Sequence, residues 1–204
     1  LMRGVHIRIL GIALLMASLV PTASAAGIWA GAVSDVLRLE TPPTVDAYAN
    51  THRIIGRSSA RPGLWDSDRS PLVRGVHEAM HDPRVARLAL MKATQVFGTE
   101  AIINYLLWRQ ACAPRPMMLI YPTEDRALEV FRKRVLPALE ASPRNARLLG
   151  SPRTLQGTSP DLGTMVLHLR GSGTERSLES DAVGDVVIDE LDRCVDQTPE
   201  VIGM

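Results

Sequence analysis

Gly184-Asp185-Val186-Val187-Ile188-Asp189-Glu190-Leu191-Asp192 is the stretch on which the fold turns. Three β-branched apolar residues run straight into two adjacent carboxylates. With no polar alternation, the run reads as a short strand buried in a sheet rather than half-exposed on one. Met117 to Tyr121 and Met165 to Leu169 are strands of the same kind, and Val85 to Met91 is a further apolar strand candidate. Helical segments alternate with them. Thr99 to Ala111 places Ile102, Tyr105 and Leu106 at i, i+3 and i+4. Thr123 to Ala141 lines Leu128, Phe131, Val135 and Leu139 along one side, and Arg126, Arg132, Lys133 and Arg134 read as its solvated face. Strands alternating with helices predict βαβ units, hence an α/β fold with a mostly parallel sheet.

Ahead of that alternation, Thr41-Pro42-Pro43-Thr44 reads as a hinge into a short helix, Val45 to Thr51. Ser58 to Pro71 is rich in turn-forming residues and predicts an ordered loop around Trp65. Leu72, Val73, Val76 and Met80 mark one helical face, which Pro83 ends.

A net charge of +1 over 204 residues excludes a global electrostatic attraction to polyanions, so any DNA contact must be a local patch. Lys92 and Lys133 are the only lysines, which limits the choice of a phosphate-binding lysine. Cys112 and Cys194 lie too far apart in sequence for a Cys-x-x-Cys metal pair. Residues 1–26 combine Arg3 and Arg8, an apolar run from Ile9 to Val20 and the small-residue stretch Thr22 to Ala26. That is the pattern of a secretory signal, with translated upstream sequence as the alternative. The expected organisation is a signal-like hydrophobic leader at 1–26, a lead-in at 27–70 and the main domain at 71–204.

Two junctions carry chemistry. Met91-Lys92-Ala93-Thr94-Gln95-Val96-Phe97-Gly98-Thr99-Glu100 joins a strand candidate to a helix, where exposed amides and a helix N-terminus favour an anion. A phosphate loop reads G-x-x-x-x-G-K-[ST]. Here Gly98 and Thr99 fit, but no lysine separates them and Lys92 stands at the front; on its own the segment reads as a plain strand-to-helix turn. The second junction is the strand ending in Asp189-Glu190, the Walker B arrangement. There an aspartate holds magnesium through water and a glutamate orients the attacking water.

Taken in order, these segments resemble the large terminase subunits of lambda-type phages. Pro62-Gly63-Leu64-Trp65 and Asp68-Arg69-Ser70-Pro71 resemble the family's P-G-x-W and D-R-[ST]-P segment. Leu90-Met91-Lys92-Ala93-Thr94-Gln95-Val96 resembles L-M-K-S-x-Q-V, Ile120-Tyr121-Pro122-Thr123 a strand ending in P-T, and Val187 to Arg193 the segment L-L-D-E-V-D-R. The resemblance implies a three-layer P-loop ATPase core over 71–204, which here is partial, and the ATPase motor of DNA packaging in the host cytoplasm. It implies ATP and Mg2+ as cofactors. Double-stranded DNA, the small terminase subunit and the portal are the implied partners, with a homo-oligomer among the possible assemblies. Lys92 would meet the β- and γ-phosphates, and Gln95, Val96, Gly98 and Thr99 would form the cradle. Thr99 and Asp189 would serve the metal and Glu190 the water. Phe97 departs from the family's Q-V-G-K-T-E, and its Cβ and ring are expected to obstruct the loop. The chain ends before the family's coupling motif and nuclease domain, so a fragment or degenerate copy is expected, with weak ATP binding, slow turnover and no endonuclease activity.

The competing reading is an exported zinc metalloprotease. His77-Glu78-Ala79-Met80-His81 is a literal H-E-x-x-H, with Glu100 as a conceivable third ligand.

Overall fold

The structure is a computed structural model that describes residues 42–57, 59–91, 93, 97–173 and 181–194. The hydrophobic leader, Lys92, Gln95 and Val96 lie outside the described residues. The chain divides into two units, Leu1–Thr41 and Pro42–Met204, and the description concerns the second.

Helix α1, Val45–His52, begins where Thr44 Oγ1 accepts a hydrogen bond from the Ala47 amide, with Asp46 in the first turn. Both features stabilise a helix N-terminus. The two-residue strands β1, Ile54–Ile55, and β2, Gly63–Leu64, pair antiparallel across the expected loop around Trp65. Helix α2, Leu72–His81, stops at Asp82 just before Pro83, and helix α3 spans Gly98–Cys112. Strand β3, Met117–Tyr121, leads through Pro122 and the capping Thr123 into helix α4, Glu124–Val130. The long helix expected over Thr123 to Ala141 is continuous in path but not in type. A π-helical turn, Phe131–Val135, separates α4 from α5, Leu136–Ala141. After α6, Pro143–Ala146, come β4, Leu167–Gly171, and β5, Asp185–Ile188.

The three later strands form one parallel sheet in the order β4-β3-β5, so the α/β architecture with a parallel sheet holds. Every residue of the central strand β3 is buried. Its odd positions, Met117, Leu119 and Tyr121, join Leu167 and Leu169 of β4 in the main core, against Ile103, Leu106 and Leu107 of α3 and Val130, Phe131 and Val135. Gly171 at the end of β4 lets the α4 N-terminus come close, since a Cβ there would sit 2.7 Å from the Glu124 amide nitrogen. A second, smaller core joins α1, α2 and the start of α3 through Ala49, Trp65, Val73, Val76 and Ala101.

One expected element is absent. Val85 to Met91 has no strand pairing, and Val85, Leu88, Leu90 and Met91 are exposed. Apolar composition suits a segment to burial, but a strand exists only through hydrogen bonds to a neighbour. No described strand runs beside this one. The outer edge of β5 is likewise unpaired among the described residues, with Val186 exposed.

α1, α2 and α3 share a buried polar chain. Asp46 Oδ1 lies 3.0 Å from His77 Nδ1, and Asn104 Nδ2 lies 3.2 Å from His77 Nε2. Asn104 Oδ1 accepts from Arg53, which also pairs with Glu100. These partners fit a neutral ring that donates from Nδ1 and accepts at Nε2. Burial pushes the His77 pKa down, against the upward pull of Asp46. Burial raises Asp46, but hydrogen bonds from His77 and Ser67 outweigh it and hold that carboxyl below its ordinary value.

Both shifts have the same consequence. The folded state binds fewer protons than the unfolded one, so stability is complete above the ordinary histidine pKa near ~6.5 and declines as the pH falls below it. Between pH 7.5 and 5.5 the melting temperature should fall more steeply for the wild type than for His77→Gln. Equal slopes would show that His77 protonates as easily folded as unfolded.

Candidate functional site

Helix α3 and strand β5 are tied together at both ends. Arg109 Nε lies 2.7 Å from Asp185 Oδ2 at the start of β5, where the Tyr105 hydroxyl also donates at 3.1 Å. At the other end, Thr99 Oγ1 donates to Asp189 Oδ2 at 2.8 Å. From Thr99 to Arg109 a helix rises about 15 Å, and from Asp185 to Asp189 a strand advances about 13 Å. The matched lengths let one helix fix both ends of the strand. The first turn of α3 thereby meets the carboxyl end of the sheet, where open α/β folds place their ligands.

Asp189 is 6% exposed. Its Oδ2 takes the Thr99 hydroxyl and, at 3.3 Å, the Tyr121 hydroxyl; its Oδ1 accepts the Glu190 amide at 3.0 Å. Tyr121 stands there because Asp189 continues the parallel register, its amide donating to the Ile120 carbonyl. Burial, then the neighbouring Asp189 charge, pushes the Tyr121 phenol well above its usual range, so it remains a donor. Among the described residues no cation pairs with Asp189. A buried carboxylate neutralised only by hydroxyl and amide donors is costly unless something positive completes the site.

Glu190 occupies a left-handed backbone conformation, φ 54°, unique among the described non-glycine residues. Such a conformation costs about 1–2 kcal/mol in a residue with a Cβ, and strain of this kind gathers at functional sites. Its Oε1 accepts from Arg126 Nη2 at 2.8 Å, and Oε2 lies 3.6 Å from Arg193 Nη1. Arg126 and Arg134 therefore do not form the purely solvated face expected from sequence. Arg134 lies 2.5 Å from Glu100, which Arg53 also engages. Burial pushes Glu100 up, but the charges of Arg53 and Arg134 hold it below the ordinary range.

The residues singled out from sequence divide accordingly. Thr99 meets Asp189, and Glu190 adjoins them through its amide, while its carboxylate turns to Arg126 and Arg193. Gly98 opens α3 directly before Thr99 and is buried, and among the described residues no side chain caps that helix start, an end of a helix that favours an anion. Lys92, Gln95 and Val96 lie outside the described residues. Phe97 packs against the second hydrophobic core; its ring is stowed there, so any obstruction comes from its Cβ and backbone. A cavity of about 520 Å³ opens beside Glu100, lined by Arg53, Arg61, Lys133 and Arg134, but neither Asp189 nor Glu190 reaches it. Tyr121, Arg126 and Arg109 were not anticipated. A tyrosine ending a strand and an arginine opening a helix become recognisable as site residues only once the strand register is known.

The H-E-x-x-H stretch has another role. Both His77 nitrogens are committed to Asp46 and Asn104, and Glu100 is held between two guanidinium groups. Among the described residues no three His, Cys, Asp or Glu side chains converge as metal ligands.

The family model for the phage terminase large subunit gpA, ATPase domain, matches residues 59–201. The chain belongs to this family. The matched stretch, terminase ATPase domain by sequence, carries the whole cluster from Thr99 to Glu190 and the parallel sheet that positions it. No curated protein and no solved structure matches the chain.

Proposed function

We propose that residues 71–204 form a P-loop ATPase core of the three-layer kind that binds ATP with Mg2+ and hydrolyses it, slowly, in the service of DNA packaging. The observation that carries this reading is the 2.8 Å contact between the Thr99 hydroxyl, in the first turn of α3, and the buried Asp189 carboxylate at the end of β5. A hydroxyl beside a buried carboxylate that has no cationic partner among the described residues is the donor set a hard divalent cation takes, through oxygen ligands and retained water. Bound magnesium would neutralise charge on the phosphates. Thr99 would serve it directly and Asp189 through water. Lys92 would meet the β- and γ-phosphates, with the amides of Gln95, Val96, Gly98 and Thr99 as the cradle. Glu190 would accept the proton of the attacking water. The water oxygen bonds to the terminal phosphorus as the bond to the bridging oxygen breaks, giving ADP and phosphate. Double-stranded DNA is the proposed track. The small terminase subunit, the portal and further copies of the chain are the proposed partners, in the host cytoplasm.

Single-turnover ATPase assays with magnesium and DNA test this on wild type, Lys92→Ala and Phe97→Gly. Lys92→Ala should lose on the order of a hundredfold in rate, as loss of one oriented donor to developing charge does. Phe97→Gly should raise turnover per folded molecule while lowering the melting temperature, because it frees the loop but empties part of the second core. Wild-type turnover indifferent to Lys92→Ala would sink the assignment of the phosphate-binding residue.

A further inference from the structure

Arg53 closes α1 and is 3% exposed, with its guanidinium 5.0 Å from the centre of the Trp65 ring. Three acceptors on α3 take its donors: the Glu100 carboxylate, the Glu100 carbonyl at 3.0 Å, and the Asn104 side chain one turn further on. The other Glu100 oxygen takes Arg134, at 2.5 Å, from the π-helical turn after α4. Arg53 stands ahead of residues 59–201, the stretch that the family match covers. Stability alone does not account for a buried arginine at this place. Apolar residues often replace a buried ion pair at no cost in stability, and among the described residues Arg53 Nε is buried without a hydrogen-bond partner.

What the arrangement fixes is the rotation of the first turn of α3. Successive residues of a helix point about 100° apart around its axis. Thr99 reaches Asp189 in one direction, at 2.8 Å, and Glu100 reaches Arg53 in the next. Two tethers so spaced keep the turn from swivelling, and among the described residues no side chain caps it. We infer that Arg53 is a positioning residue: acting through Glu100, it aims the Thr99 hydroxyl at Asp189 and so sets how tightly that pair holds magnesium. This rests on the metal role proposed above for Thr99 and Asp189. Side chains that orient a metal's ligands govern its affinity without touching it. Arginine suits the task because its planar fork grips a carboxylate and a carbonyl at once, which the single ammonium of lysine does not.

The test is the ADP affinity of the full chain, measured by equilibrium titration with magnesium and again with EDTA. The ratio of the two isolates the metal, whereas a merely structural defect lowers both affinities together. Arg53→Lys should shrink the magnesium-dependent gain about tenfold with the metal-free affinity little changed. Glu100→Gln, nearly isosteric and so gentler on the fold, should shrink the gain in the same direction. Leu162→Ala, a truncation in the main core, should lower the melting temperature and keep the full gain. The inference is overturned if Arg53→Lys and Glu100→Gln keep the wild-type gain, or if Leu162→Ala loses as much as they do. Asp189→Asn separates it from the reading on which it rests. Should Asp189→Asn keep the gain, or wild type show none, the metal site is misassigned and both fall. Should Asp189→Asn lose the gain while Arg53→Lys and Glu100→Gln keep it, only the positioning role fails.

Discussion

Asp189→Asn is expected to lower ATP turnover by about two to three orders of magnitude while leaving the melting temperature unchanged or slightly raised. The two effects part company because they come from different terms. For catalysis, Asp189 supplies the negative charge that would keep magnesium in place beside Thr99, and asparagine supplies none. For stability, the same carboxylate is a burden. It is buried, carries no cationic partner among the described residues, and stands next to Glu190. Asparagine is nearly the same size, its Oδ1 can still accept from Thr99, Tyr121 or the Glu190 amide, and it brings no charge to desolvate. Sites kept for function at a cost in stability show this opposition. Thermal melts and single-turnover rates on the same preparation check it. A variant that loses activity and melting temperature together would show that Asp189 is structural.

The complementary case is Arg109→Ala, expected to cost about 3 kcal/mol in stability, because removing one partner of a buried ion pair strands the other. Arg109 stacks over Trp108 and Tyr105, donates to the Tyr105 hydroxyl and pairs with Asp185. In a domain of this size the loss corresponds to a melting temperature lower by about 6–12 °C. Arg115, 3.5 Å from Asp185, offers partial compensation. Arg109→Lys should be intermediate, since a lysine keeps the charge but not the planar fork that satisfies two acceptors and stacks. Adding Asp185→Asn to Arg109→Ala should recover part of the loss, and a double-mutant cycle measures how much. If the two substitutions simply add, the pair does not hold β5 to α3. The variant also bears on the site: freeing the start of β5 loosens the strand whose far end carries Asp189, so turnover should fall as well, by less than in Asp189→Asn.

The amino-acid sequence by itself determined the elements that rest on local pattern. Met117 to Tyr121 and Asp185 to Ile188 were legible as strands because each is a short apolar run closed by turn-forming residues. The α1 start was legible from the Thr41-Pro42-Pro43-Thr44 hinge, and the helical path that begins with α4 from the spacing of Leu128, Phe131, Val135 and Leu139; that Thr44 and Thr123 cap these helices came from the structure. The pairing of Asp189 with Glu190 at a strand end, and the order of the motifs around it, were enough to reach the family. What depended on a partner was not legible. Val85 to Met91 has the composition of a strand but no neighbour to pair with among the described residues, and composition says nothing about neighbours. Phe97 was read as a ring over the phosphate loop, whereas the packing of α1, α2 and α3 draws it into the second core. Arg126 was one of several helix arginines until the parallel register of β3 and β5 brought Glu190 alongside. His77 matched a metal-binding motif, and only the convergence of Asp46 and Asn104 from two other helices showed both its nitrogens in use. In each case the deciding quantity was a distance between residues far apart in the chain, fixed by register and helix packing. Local sequence encodes which element forms; only tertiary structure encodes what that element meets.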